Sequence, residues 1–96
     1  MDECYSIKLP LAGVEVPRQF KVWHKASTYM CFVVNEGSDV LERLRVGDTL
    51  NLRYYDTDLV FPSEYLETEI RNIKKNDQGR LKGRYLVDLE ILEAKH

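Results

Sequence analysis

The 96 residues hold 14 Lys and Arg against 16 Asp and Glu, a formal charge of -2, with 44% hydrophobic and 31% charged positions. A chain of this size builds one core, burying roughly 60–65% of its unfolded surface, and its composition lies well away from that of disordered chains. Residues 1–96 therefore read as one domain, and the negative balance supplies no global field to draw it onto nucleic acid.

The chain begins "MDECYSIKLPL", without a basic leader and long apolar run, and no stretch approaches the ~18 apolar residues of a membrane span. A cytoplasmic protein with no membrane contact is expected. "YSIKLPL" and "RQFKVWH" read as strands, with Pro10 and Pro17 removing ladder donors and marking edges or bends. "TYMCFVV" is apolar on both faces and reads as a central strand. In "SDVLERLRVGD" the rhythm changes: Val40, Leu41 and Leu44 share a helical face, Asp39 is placed to cap with Glu42, and Gly47 ends the turn. One or two helical turns are expected over 39–45.

Strict alternation resumes in "TLNLRYY", with Leu50, Leu52 and Tyr54 inward and Tyr55 outward. "DTDLVFPSE" is a loop anchored by Leu59, Val60 and Phe61. "YLETEIRNI" sends Leu66, Thr68 and Ile70 inward, and "GRYLVDLEIL" sends Tyr85, Val87, Leu89 and Ile91 inward. About six strands with one short helix define a mainly all-β chain, a small six-stranded antiparallel β-barrel, rather than any βαβ fold.

Between the last two strands, "NDQG" is a strong turn. A four-residue loop between Lys75 and Arg80 pairs Ile70 with Tyr85, Thr68 with Val87 and Leu66 with Leu89, and on the outer face sets Arg71 against Arg84 and Glu67 against Asp88. Like charges across a ladder are unfavourable, so each such pair calls for a diagonal partner or a bound ion. The tip carries Arg71, Lys74, Lys75, Arg80, Lys82 and Arg84 against Asp77. Two readings are open: a solvated hairpin whose cations protect a sheet edge, or a patch for an anion or acidic partner built on Arg71, Arg80, Lys82 and Arg84.

Catalytic chemistry has little to draw on. Cys31, in an apolar run, reads as a small buried hydrophobe, and Cys4, Cys31, His24 and His96 match no familiar zinc spacing. His24 reads as a strand residue without a nucleophile and orienter around it, and Asp56 with Asp58, or Glu67 with Glu69, read as solvated carboxylates. No catalytic residue, metal site or cofactor is expected. Trp23 and Tyr55, the rings that alternation leaves able to face solvent, together with the basic tip support an alternative, a small OB- or SH3-like barrel that stacks single-stranded nucleic acid.

The order of a strand, a short turn-rich stretch, "LRVGDTLNLRYYD", a looped strand and a closing "GRYLVDLEIL" resembles the PilZ domains, small bacterial β-barrels, over roughly residues 18 to 92. That resemblance implies a signalling module that binds cyclic di-GMP through an RxxxR stretch before the barrel and a D/NxSxxG stretch on an early strand. Here "RQFKV" keeps Arg18 but has Val22 in place of the second arginine, and "NEGSDV" keeps Asn35 but has Gly37 and Val40 at the Ser and Gly positions. Losing one bidentate arginine contact costs on the order of 1.5–3 kcal/mol. The expectation is a non-enzymatic adaptor with a protein partner and weak or absent cyclic di-GMP binding, any such binding falling to Arg18, Lys21 and Asn35.

Overall fold

The computed structural model describes residues 5–10, 18–56, 62–77, 79 and 82–95. Six strands, β1 (Ser6–Leu9), β2 (Arg18–Lys25), β3 (Tyr29–Val34), β4 (Thr49–Tyr55), β5 (Glu64–Lys75) and β6 (Tyr85–Lys95), form a closed antiparallel barrel in the order β1-β2-β3-β6-β5-β4. Closure leaves no edge strand among them, so the cations near the β5–β6 turn protect no edge, and Pro10 simply follows the end of β1.

Alternation builds the core as the sequence implies. Leu52 and Tyr54 from β4, Leu66, Thr68 and Ile70 from β5, and Val87, Leu89 and Ile91 from β6 are buried, with Leu50 and Tyr85 partly buried. Thr68, fully buried, donates its hydroxyl to the Leu50 carbonyl at 2.9 Å, which satisfies the one polar side chain placed among these apolar residues. β3 pairs with β2 and β6, and all its residues but Tyr29 are buried. Phe32 packs against Phe20 at 5.3 Å between ring centroids.

Tyr55 is buried although alternation places it outward: it is 2% exposed and lies under the Lys8 ammonium, 4.9 Å from its ring centroid. It offers no free face for a stacked base. The helical stretch is a 3-10 helix over Asp39–Arg43, and Ser38 rather than Asp39 caps it, its Oγ accepting from the Val40 amide at 3.3 Å. Gly47, at φ +97°, turns the chain back, and its amide donates to the Ile70 carbonyl at 2.8 Å.

The β5–β6 register differs from the short-loop expectation. Ile70 faces Leu89, Thr68 faces Ile91 and Lys75 faces Tyr85, so the connection runs from Asn76 to Arg84. Inward residues still meet inward residues, because the shift preserves parity. Three bulges complete the closure: Trp23 is the extra residue between Val22 and His24, Arg71 between Ile70 and Asn72, and Leu92 between Ile91 and Glu93. Bulges bend and twist a strand, as a small barrel requires. Beyond the Arg71 bulge the parity changes, turning Ile73 onto Val87 and against the core.

Candidate functional site

The start of β2, the end of β3, the Ser38 cap and the residue entering β6 converge at one end of the barrel around a concavity of about 420 Å³. Arg18, Gln19, Lys21, Asn35, Ser38 and Arg84 supply its polar wall, and Phe20 and Val33 the rest. Antiparallel pairing explains the convergence. β2 starts where β3 ends, and β6 starts opposite that end, with Val34 facing Tyr85. Arg18, Lys21 and Asn35, candidates from the sequence, therefore share one hollow, and Arg84, assigned to a separate patch, joins them.

Among the described residues, no carboxylate lines this hollow. At its rim, Asp39 Oδ2 accepts from Arg18 Nη2 at 3.3 Å, both side chains being about half exposed. Three cations and three neutral hydrogen-bonding side chains facing one space can receive a phosphate or carboxylate through charge-assisted bonds.

The remaining patch candidates go elsewhere. Arg71, on its bulge, bonds Glu90 and sits 3.0 Å from Glu69, and the Glu90 bond raises its pKa. This arginine relieves the facing pair Glu69 and Glu90, a like-charge contact different from the expected Arg71–Arg84 and Glu67–Asp88 oppositions. Lys82 is exposed and lines none of the hollows described here, and Arg80 lies outside the described residues. Lys75 donates to Glu36 at 2.8 Å, which raises its pKa and ties the end of β5 to the turn after β3.

A second concavity, of about 460 Å³, opens at the other end, where β2 and β4 finish and β5 begins. Tyr5, Trp23, His24, Lys25, Tyr54, Asp56 and Glu64 line it. Tyr5 and Tyr54 stack nearly parallel at 6.4 Å, Lys25 Nζ lies 4.9 Å from the Tyr54 centroid, and Lys25 pairs with Glu64 at 3.0 Å. A third hollow over β4–β6 mixes Arg53 and Lys95 with Glu67 and Glu93 and so has no net sign.

Nucleophilic chemistry finds no support at Cys31. The side chain is 3% exposed, and burial, reinforced by Asp88, pushes its thiol up to about 12, far from the thiolate form at neutral pH. Tyr29 donates to the same Asp88 carboxylate at 2.8 Å and is likewise raised to about 12, first by burial. Among the described residues, no three His, Cys, Asp or Glu side chains gather as metal ligands, and no helix is long and apolar enough to cross a membrane. No family model matches the chain, and no curated protein or solved structure is detectably similar to it.

The sequence missed two things: that Arg84 completes the basic hollow, and that Tyr5, Tyr54, Asp56 and Glu64 line one hollow with Trp23. Both depend on which strand ends closure brings together. The alternation of "TLNLRYY" and "YLETEI" identifies strands but carries no signal for their order around a barrel.

Proposed function

We propose that this chain is a non-enzymatic, PilZ-like signalling or adaptor module of the bacterial cytoplasm, working through an acidic group on a protein partner that enters the Arg18–Lys21–Arg84 hollow. The carrying observation is the convergence of those three cations with Asn35 and Ser38, with no carboxylate lining the hollow among the described residues. Cyclic di-GMP, the ligand that the PilZ resemblance implies, binds here weakly or not at all. Val22 leaves the early stretch with one arginine, and its side chain points into the core at 7% exposure.

The alternative, a barrel for single-stranded nucleic acid, is disfavoured by two observations. Tyr55 is covered, and the exposed Trp23 shares its hollow with Asp56 and Glu64, which repel phosphates.

Titration with labelled cyclic di-GMP, with a short single-stranded oligonucleotide and with an acidic peptide, each at two salt concentrations, tests the proposal. The expected result is measurable binding of the acidic peptide, weakened about tenfold or more by Arg18→Ala with Arg84→Ala. Tight oligonucleotide binding with a steep salt slope overturns the adaptor reading. So does peptide binding that ignores both arginines.

A further inference from the structure

The opposite hollow has a different chemistry. Its aromatic wall is Tyr5, Tyr54 and the exposed bulge residue Trp23, and its charged residues are Lys25, Glu64 and Asp56. Lys25 offsets Glu64 at 3.0 Å, which leaves Asp56 as the lining carboxylate that this pair does not balance. The Lys25 ammonium already lies over the Tyr54 ring at 4.9 Å, the distance at which a ring quadrupole attracts a cation. Both Lys25 and Glu64 side chains are largely sheltered, at 20% and 17% exposure, so this contact is held in a partly desolvated setting where such attraction is strongest. The volume of about 460 Å³ suits a small ligand group, for which sites run roughly 300–1,000 Å³.

We propose that this mouth is a receptor for a methylated ammonium group, held by the faces of Trp23, Tyr5 and Tyr54 and by the carboxylates of Asp56 and Glu64, with Lys25 as the resident cation that such a group displaces. A methylated ammonium keeps its charge while shedding water easily, so it gains from aromatic faces what a bare, strongly hydrated ammonium loses on leaving solvent. The exposed Trp23 supplies the strongest face. The group can come from a free quaternary amine or from a methylated lysine side chain.

Trp23 is the chain's single tryptophan, so its fluorescence reports this hollow directly. Choline, its neutral carbon isostere dimethylbutanol, and a peptide carrying one trimethyllysine are titrated against the full chain. The expected result is quenching by choline or by the peptide at about tenfold lower concentration than by the isostere. Quenching by the peptide alone assigns the source to a protein, and quenching by choline assigns it to a free amine. Equal response to choline and dimethylbutanol, or no response to any of the three, overturns the proposal.

Two variants sharpen it. Lys25→Met vacates the resident position and is expected to raise the affinity several-fold, and Asp56→Asn, which keeps the backbone bond to Ser63, to lower it about threefold. Where Lys25→Met does not fold, Asp56→Asn decides alone, and an unchanged affinity in it overturns the proposal. None of these readouts depends on the basic hollow, so the two readings stand or fall separately.

Discussion

Each end of the barrel sets an ion pair beside its hollow, and these two pairs differ in worth. At the basic end, Arg18 meets Asp39 at 3.3 Å with side chains 45% and 58% exposed. At the aromatic end, Lys25 meets Glu64 at 3.0 Å with side chains 20% and 17% exposed. Water screens the first pair and leaves it close to neutral in stability, whereas the second is partly desolvated and lies over an aromatic ring. The same pair of charge types serves as a loose rim contact in one place and as a fixed part of the wall in the other. A ligand can therefore exchange for Asp39 cheaply, while exchange for Lys25 requires a cation that suits the rings better.

The comparison breaks first if the two ends are not one cooperative unit. Phe32, fully buried and packed on Phe20, lies in the core common to both, and Phe32→Ala is expected to lower stability by about 3–5 kcal/mol. Denaturant melts followed by Trp23 fluorescence, which reads the aromatic end, and by far-ultraviolet dichroism, which reads the whole sheet, should still coincide. Separate transitions would mean that the ends fold independently.

Sheltering predicts the next effect in size. Glu64→Gln leaves the Lys25 ammonium without its carboxylate and should cost about 1–3 kcal/mol, whereas Asp39→Asn should change stability by less than about 0.5 kcal/mol. Equal losses in the two variants would show that exposure is not what separates the ends.

The wall between the ends responds to alkali. The Cys31 thiol goes from its ordinary 9.0 to about 12, and the Tyr29 phenol from 10.0 to about 12. Between those values the folded chain keeps protons that the unfolded chain has released, so stability falls as pH rises from about 9 toward 12. Below about pH 9 both states are protonated at these two groups and the contribution is constant. Each proton adds a slope of at most about 1.4 kcal/mol per pH unit. In a Cys4→Ser background, Cys31→Ala should make the slope between pH 9 and 10 shallower, and an unchanged slope would show that the thiol is not the titrating group.

Much of the barrel was legible before any coordinates. Period-two runs such as Leu50, Leu52 and Tyr54, or Val87, Leu89 and Ile91, record one buried face, and a closed sheet needs little more than six of them. The loop length between β5 and β6 was not legible, because "NDQG" is as good a turn inside a nine-residue connection as it is alone. Nor were the bulges. Trp23, Arg71 and Leu92 look like ordinary strand residues, and only the curvature of closure makes them the extra ones. Tyr55 misled for a related reason: alternation gives the direction of a side chain, and Lys8, from a strand 47 positions earlier in the chain, covers it. Arg18, Lys21 and Asn35 were found by motif resemblance, whereas Arg84 joins them only through the pairing of Val34 with Tyr85.

The smallest expected effect tests the comparison most closely. If Asp39 occupies Arg18 only loosely, removing its charge should free the guanidinium without harming the fold. Asp39→Asn should then raise affinity for the acidic peptide by about two- to fivefold, the worth of an exposed pair converted to binding. The Ser38 cap remains, so the 3-10 helix and the position of Asn35 beside it should persist. The gain should shrink as salt is added, because salt screens the Arg18–Asp39 contact and thereby does part of what the substitution does. A loss of affinity in Asp39→Asn would instead mean that the carboxylate positions Arg18 for its ligand, as Glu64 fixes Lys25 at the other end, and the two ends would then differ only in sign.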